Sequence, residues 1–322
     1  MLFTREAIQS AQRTVYAAMP PTPQYNWPLL RQELGFDVWV KHENHTPLGA
    51  FKVRGGLTYM EWLRRTHPEV RHVISATRGN HGQSIGLAAR QHGLRATVIA
   101  PHGNSIEKNA AMRAQGVELV EYGEDFQASS EHAALLAERD GLHRVPSYHP
   151  ELVRGVATAY VEFFESLRDT PPDVLYVPIG LGSGITAAAV ARTHCGVKTR
   201  LIGVVSTLAL AYQKSFRSGV PTDAPATTAI ADGVACRSAV PEAVDVIRRE
   251  VDDVIAVSDE EVASAMRLIY TATHNVAEGA GAAALAAAIQ QRDRWSGKRV
   301  GVALTGGNVD AAVFARILRS EI

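Results

Sequence analysis

The feature of this sequence that most constrains its fold is a regular alternation of short apolar segments with segments of helical period. In the first half, apolar and β-branched residues predict strands at 37–41, 70–75, 96–100 and 117–122. The alternation restarts after Pro150, where the predicted strands span 173–179, 200–205, 253–257 and 299–304. Strands that are joined through helices pair in parallel. The sequence therefore predicts an α/β protein with doubly wound parallel sheets.

The composition and charge argue against several classes of partner. The 322 residues include 33 basic and 33 acidic side chains, so no charge excess favours nucleic acid or an anionic membrane as a partner. No apolar run reaches the length of a membrane span, and residues 1–6 lack the apolar core of a signal peptide. The only cysteines are Cys195 and Cys236, which is typical of a reducing compartment. We therefore expect a cytoplasmic protein.

Two loops in the first half carry candidate reactive side chains. Lys52 lies between Phe51 and Val53, just after a turn at Gly49. A lysine in such a place is ordinarily a solvated surface residue, so it carries little weight alone. Residues 77–83, with the sequence Thr-Arg-Gly-Asn-His-Gly-Gln, connect a predicted strand to a predicted helix. Together these loops place an amine and several polar groups at the ends of neighbouring elements.

A third loop, residues 180–184, has the sequence Gly-Leu-Gly-Ser-Gly and lies between a buried predicted strand and a helix. Small residues let backbone N–H groups converge, and a helix N-terminus adds its positive end, so this loop is typical of a phosphate site. A dinucleotide-binding loop is the alternative. Such a loop requires an acidic residue at the end of the next strand, and here that strand ends in residues 203–206, Gly-Val-Val-Ser. Nicotinamide binding is therefore a poor fit.

These loops, together with residues 305–308 (Thr-Gly-Gly-Asn) after the last predicted strand, resemble a known family. The family is that of pyridoxal-phosphate (PLP) enzymes of fold type II, on the threonine/serine dehydratase and serine racemase branch. The resemblance implies a tryptophan-synthase-β-like fold, with two doubly wound parallel-sheet lobes and PLP between them. It implies a large PLP-binding lobe of residues 1–62 and 146–322, a small mobile lobe of residues 63–145, and a homodimer.

The resemblance also assigns roles to individual residues. Lys52 matches the lysine whose amine forms a Schiff base with PLP, and it is the one candidate catalytic residue. The remaining expected cofactor contacts are Phe51, Asn80, Gly180, Leu181, Gly182, Ser183, Gly184, Glu278 and Thr305. The expected substrate contacts are Thr77, Arg78, Gly79, Asn80 and His81. Leu181 and Ser183 depart from the purer glycine run that is usual in the family. We expect the hydroxyl of Thr305 to face the pyridine nitrogen.

The chain departs from the family where racemases and dehydratases often hold a divalent cation. Alignment on Gly203 and Tyr212 places Leu210 at the aspartate position, and Val204 or Val205 at the glutamate position. Aliphatic side chains supply no oxygen ligand for a hard cation. The sequence therefore predicts that the metal site has been lost.

The implied reaction is the elimination of water from an L-β-hydroxy-α-amino acid, giving a 2-oxo acid and ammonia. Tyr25 and Trp27 suggest a pocket for a bulky substrate if they line it, although core aromatics are the more common case. On that basis 3-phenylserine is the favoured substrate, with threonine and serine close behind. The alternatives are an amino-acid racemase, a 3-hydroxyaspartate dehydratase, and a catalytically silent PLP-binding protein.

Arg78 occupies the position at which family racemases carry a serine that exchanges protons on the cofactor face opposite the lysine. Arginine stays protonated in proteins, so it cannot alternate between giving and taking a proton at neutral pH. A guanidinium can instead bind an anion through two parallel hydrogen bonds. The sequence therefore predicts that Arg78 suppresses racemisation and orders the substrate-bound site.

Overall fold

The computed structural model describes residues 3–322, and Met1 and Leu2 lie outside it. The strands in these residues are β1 Gln24–Asn26, β2 Asp37–His42, β3 His72–Ala76, β4 Arg95–Ala100, β5 Glu118–Glu121, β6 His143–Arg144, β7 Val174–Pro178, β8 Arg200–Ser206, β9 Asp253–Val257 and β10 Arg299–Leu304. The helices are α1 Arg5–Tyr16, α2 Pro28–Leu34, α3 Lys52–Thr66, α4 Asn80–Gln91, α5 Ile106–Ala114, α6 Phe126–Asp140, α7 Pro150–Ser166, α8 Ser183–Cys195, α9 Ala211–Ser218, α10 Pro241–Glu250, α11 Asp259–Thr273, α12 Gly279–Gln290 and α13 Ala311–Leu318.

The strands form two sheets. One has six strands in the order β1-β2-β10-β7-β8-β9, and the other has four in the order β5-β4-β3-β6. All pairings are parallel except that of β1 with β2, which is antiparallel. Residues 27–36 between these two strands are fewer than the dozen or so that a parallel crossover needs. The predicted α/β fold class is confirmed, with this antiparallel edge strand as an addition.

The two sheets draw on different parts of the chain. Strands β3 to β6 of the four-stranded sheet all lie within residues 63–145. The strands of the six-stranded sheet come from before and after that segment, as an inserted small lobe requires. The domain boundaries at residues 62 and 145, and the mobility of the small lobe, remain predictions. None of the helices in residues 3–322 is both long and apolar enough to cross a membrane.

Four loops converge because parallel strands present their carboxyl ends at one edge of a sheet. Residues 77–79 follow β3, residues 179–182 follow β7, and residues 305–308 follow β10. The fourth loop, residues 46–51, comes after β2 and a short 3₁₀ helix, Glu43–His45, and leads into α3, whose first residue is Lys52. The edges of the two sheets thus bring the predicted site loops together.

A cluster of buried charges fixes the start of α3 to the rest of the large sheet. Its members are Lys41, Glu43, Arg54 and Glu162, and we call it the buried charge quartet; Lys41 and Arg54 are 0% exposed. The Arg54 guanidinium donates to Glu43 Oε2 at 2.7 Å and to Glu162 Oε1 at 2.6 Å. Lys41 Nζ donates to Glu162 Oε2 at 2.6 Å. Each buried charge therefore has an opposite partner, as burial away from water requires.

Candidate active site

The cleft between the two sheets is built around the amine of Lys52. Lys52 Nζ lies 3.3 Å from Ser183 Oγ and 4.9 Å from the centre of the Phe51 ring. Burial lowers the pKa of this ammonium to about 8, although the nearby Glu278 acts in the opposite direction. A neutral amine is therefore available near physiological pH, as a nucleophile or a base requires.

Helix α8 points its N-terminus into the same cleft. Its N-cap, Gly182, has φ +96° and offers no side-chain acceptor to the first turn. A Cβ at this position would approach Ala243 Cβ to 2.7 Å, so glycine is required both for the backbone angle and for space. The N–H groups of the first turn are left without a side-chain cap, which is the arrangement that binds a phosphate at a helix start.

A network of amides and one carboxylate spans the cleft opposite the glycine loop. Asn80 Nδ2 donates to Glu278 Oε1 at 2.7 Å, and Asn80 Oδ1 accepts from Asn308 Nδ2 at 2.8 Å. Asn308 Nδ2 also donates to the carbonyl of Leu48 at 2.8 Å. Burial raises the pKa of Glu278, opposed by the charge of Lys108. The start of α4 is therefore tied to both the loop before Lys52 and the start of α12.

The loop that carries Lys52 is held by the loop after β10. The N–H of Phe51 donates to the carbonyl of Thr305 at 3.0 Å, and the N–H of Gly307 donates to the carbonyl of Gly49 at 2.9 Å. Gly49 has φ +65°, and a Cβ there would meet Asn308 Oδ1 at 2.6 Å. Glycine at this turn is thus required by the contact that fixes residues 46–51.

Lys108 and Asp232 belong to the site but were not predicted from the sequence. Lys108 Nζ lies 2.6 Å from Asp232 Oδ2 and 3.3 Å from Glu278 Oε2. Burial disfavours its charge, but the two carboxylates outweigh burial and raise the pKa of Lys108 above its ordinary value. Lys108 lies on α5 of the small sheet, whereas both carboxylates belong to the large-sheet side. No local pattern signals this pair, since its members are far apart in sequence and meet only through the fold.

Most of the chain matches one known family. A sequence model described as "Pyridoxal-phosphate dependent enzyme" matches residues 15–306, which is most of the chain. The chain belongs to this family. The predicted cofactor, pyridoxal 5′-phosphate, is confirmed with it, as is the predicted fold type II.

Relatives of this PLP enzyme are named for different activities. It is 31% identical to a serine racemase of Schizosaccharomyces pombe, over 99% of this chain and 98% of the relative. It is 33% identical to an L-threo-3-hydroxyaspartate ammonia-lyase of a Pseudomonas species, over 92% of this chain and 93% of the relative. Among solved structures, the processed threonine deaminase isoform 2 of Solanum lycopersicum matches with a TM-score of 0.90 and 25% identity, over 98% of this chain and 87% of that one. These relatives place the PLP enzyme among the amino-acid ammonia-lyases and racemases.

The residues of the cleft fit the cofactor. His81 Nε2 is a buried polar atom of a residue that lines the cleft, and it has no hydrogen-bond partner within residues 3–322. Burial and the nearby Lys52 charge lower the pKa of His81 to about 3, so its ring is neutral. The uncapped first turn of α8 suits a phosphate, and the amine of Lys52 suits an aldehyde. Polar groups of the right chemistry thus surround one space.

The structure brings every predicted site residue into this one cleft. The residues lining it that were predicted are Phe51, Lys52, Thr77, Arg78, Gly79, Asn80, His81, Gly180, Leu181, Gly182, Ser183, Gly184, Glu278 and Thr305. Their individual contacts with PLP and substrate remain predictions. The lining residues that were missed include Lys108, Phe126, Asp232, Ala235 and Cys236. Phe126 and Ala235 carry no signal in the sequence, because an isolated apolar residue near a turn predicts nothing specific.

The aromatic residues Tyr25 and Trp27 lie away from the cleft. Tyr25 and Trp27 do not line it, and the idea that they enclose the substrate is wrong. They pack instead against each other with ring centres 5.3 Å apart, and Tyr25 is 47% exposed on the edge strand β1.

At the family's cation position, Val204 and Val205 are buried in β8 and Leu210 is the N-cap of α9. The loss of the metal site remains a prediction.

Proposed function

We propose that this PLP enzyme is a dehydratase that eliminates water from an L-β-hydroxy-α-amino acid, giving a 2-oxo acid and ammonia. The observation that carries the proposal is the Lys52 amine, which is set between the uncapped helix start at Ser183 and the Asn80–Glu278 network. An amine with a pKa of about 8 accepts a proton readily near neutral pH. In this proposal Lys52 takes the α-proton of the substrate.

PLP, when bound, withdraws electrons from the α-carbon and so makes its proton labile. The protein's own residues hold the cofactor and orient it. The first turn of α8 would bind the phosphate, with Ser183 Oγ as an additional donor. Asn80, itself fixed by Glu278 and Asn308, would hold the ring edge that carries oxygen. Thr305 would offer its hydroxyl to the ring nitrogen, where a neutral donor leaves that nitrogen largely unprotonated and favours rapid elimination.

Among substrates we favour 3-phenylserine, with threonine and serine next. The support comes from apolar side chains in the cleft, Phe126, Leu181 and Ala235, and no longer from Tyr25 and Trp27. A second candidate is 3-hydroxyaspartate. Arg78 lines the cleft half-buried, and its guanidinium has no acceptor among residues 3–322, so a β-carboxylate would supply one.

A panel of substrates tests this proposal. We expect the holoenzyme to release 2-oxo acid from 3-phenylserine, threonine and serine, with the highest kcat/KM for 3-phenylserine. Release is measured with a 2-oxo acid reagent, and D-isomers serve as the matched control. A highest kcat/KM for 3-hydroxyaspartate would instead establish the second candidate. Formation of D-amino acid without 2-oxo acid would contradict the dehydratase and select the racemase, whereas no turnover of any member would select a silent PLP-binding protein.

The position of Arg78 supports elimination over racemisation. The residue lies in the middle of the turn between β3 and α4, where Asn104 Nδ2 donates to its backbone carbonyl at 2.9 Å. This contact fixes the backbone of Arg78, a residue that lines the cleft. A guanidinium at this position holds its proton at all physiological pH values. It therefore lacks the proton exchange that a racemase needs on the second face.

Replacing Arg78 by serine should lower dehydratase kcat/KM by roughly ten- to a hundredfold, because about 1.5–3 kcal/mol is lost when a hydrogen bond to a charged group is removed. We also expect slow exchange of the substrate α-proton with solvent, measured by NMR in deuterium oxide. Arg78→Lys is the matched control, since it keeps the charge and loses the two-pronged geometry. If Arg78→Ser keeps the wild-type kcat and KM, Arg78 does not act in the site.

The family resemblance also supports a homodimer in the cytoplasm, which we propose together with the reaction. Light scattering on the purified protein measures the first of these directly.

A further inference from the structure

A second chamber lies next to the Lys52 cleft. Apolar side chains form much of its wall, among them Phe126, Leu181, Ala235, Ala239, Val240 and Pro241. The chamber is therefore mostly apolar, as a site for an apolar group requires. We call it the side chamber.

The side chamber borders the Lys52 cleft. Arg78, Phe126, Leu181, Ala235 and Cys236 line both spaces, so any passage between the two runs among these five side chains. Cys236 and Lys52 line the same cleft, and burial raises the pKa of the Cys236 thiol to about 12. It thus presents a small neutral group at the passage, beside the reactive amine.

The rim of the side chamber is charged and crosses between the two sheets. Arg237 Nη1 donates to Asp125 Oδ2 at 2.7 Å, and Asp125 is also the N-cap of α6. The Asp125 carboxylate is therefore paired with Arg237. The other arginine that lines the chamber, Arg78, has no acceptor for its guanidinium among residues 3–322. A guanidinium beside an apolar wall stacks favourably on an aromatic ring.

We propose, on the basis of the dehydratase reaction proposed above, that the side chamber binds the β-substituent of the substrate and that Cys236 determines which substituents enter it. The occupant is an aryl group. Its ring lies against the apolar wall, while its α-carbon stays within reach of Lys52. Threonine and serine leave the chamber unfilled, so they gain nothing from it.

Substitution of Cys236 tests whether this residue controls entry to the side chamber. Leucine at this position fills the passage, and we expect Cys236→Leu to lower the ratio of kcat/KM for 3-phenylserine to that for threonine at least tenfold, mainly through KM. An effect of this size is typical when a pocket differs by one or a few carbon atoms. The matched control is Cys195→Leu, since Cys195 lies at the end of α8 and lines neither space.

A second variant and a second measurement keep the test independent of turnover. Ala239→Leu fills the chamber from a residue that does not line the Lys52 cleft. Calorimetric titration of holoenzyme with L-phenylalanine and L-alanine, neither of which has a β leaving group, compares an aryl with a methyl substituent directly. We expect wild type to bind L-phenylalanine at least tenfold more tightly, and either leucine variant to lose that preference.

The results of these experiments distinguish a failure of the subsite proposal from a failure of the dehydratase proposal. Equal binding of the two amino acids by wild type, or leucine variants that weaken both equally, would overturn the subsite and leave the dehydratase standing. A wild type that releases 2-oxo acid from no β-hydroxy amino acid would overturn the dehydratase, and the subsite assigned to its substrate with it. A selective loss for the aryl ligand in the leucine variants supports the proposal.

Discussion

Replacing Lys52 by alanine is expected to abolish both the covalent attachment of PLP and turnover. Lys52 is the lysine whose Nζ lies beside Ser183 at the start of α8, and the other lysine of the cleft, Lys108, is engaged by Asp232 and Glu278. Its pKa, lowered to about 8, also gives it a larger neutral fraction near physiological pH than an ordinary lysine has. Loss of this one group removes the attachment point and the base together.

The measurement is reduction with borohydride followed by mass spectrometry of the peptide that contains residue 52. Wild type should carry the reduced cofactor on that peptide, and Lys52→Ala should carry none, with 2-oxo acid release below detection. Lys214→Ala, at an exposed position on α9, is the matched control and should resemble wild type. A reducible linkage that survives in Lys52→Ala would show that another amine holds the cofactor.

Replacing Arg54 by methionine should destabilise the holoenzyme by about 3–5 kcal/mol, the usual cost of leaving a buried charge without its partner. Arg54 donates to Glu43 and to Glu162 within the buried charge quartet, and only Lys41 would remain to balance both carboxylates. Urea denaturation, followed by circular dichroism, measures the free energy of unfolding. Arg65→Met, at an exposed position of the same helix, should change it by no more than about 0.5 kcal/mol.

The buried charge quartet also makes the free energy of unfolding depend on pH. Burial opposes ionisation of Glu43, but Arg54 and Lys41 outweigh it and lower the pKa of the carboxyl below its ordinary 4.5. The stabilisation is therefore complete above that value and is lost as the pH falls through the lowered pKa. Arg54→Met should flatten this acid limb. A destabilisation below about 1 kcal/mol would mean that the quartet contributes little to stability.

The sequence predicts the part of this protein that depends on local pattern. The buried strand β7 and the glycine loop after it follow from an apolar run that ends in small residues. Helix α3 was not predicted, although Lys52 begins it, because Gly55 and Gly56 lie inside it and glycine disfavours a helix. The fold requires glycine there, since a Cβ at Gly56 would lie 2.1 Å from Ser84 Oγ of α4. Packing between helices thus overrides the local preference.

The candidate site likewise contains residues that the sequence could predict and residues that it could not. Lys52, Asn80 and Thr305 could be predicted, because each lies in a short motif that carries its own chemistry. Lys108 and Asp232 could not, since their 2.6 Å contact joins residues far apart in the chain. The bulky substrate was inferred from Tyr25 and Trp27, which the fold places on an edge strand and beside it. Side chains from separate loops, such as Phe126 and Cys236, are brought to the cleft only by the tertiary structure.

The contacts of Lys108 have a consequence for how substrate enters and product leaves. This ammonium projects from the small sheet and is buried against two carboxylates of the large sheet. Any widening of the cleft that parts the two sheets separates the Lys108 ammonium from Asp232 and Glu278 and exposes it to water. Opening therefore exchanges ion pairing for hydration, and dissolved salt stabilises the separated charges. Ionic strength should thus act on the residence time of product.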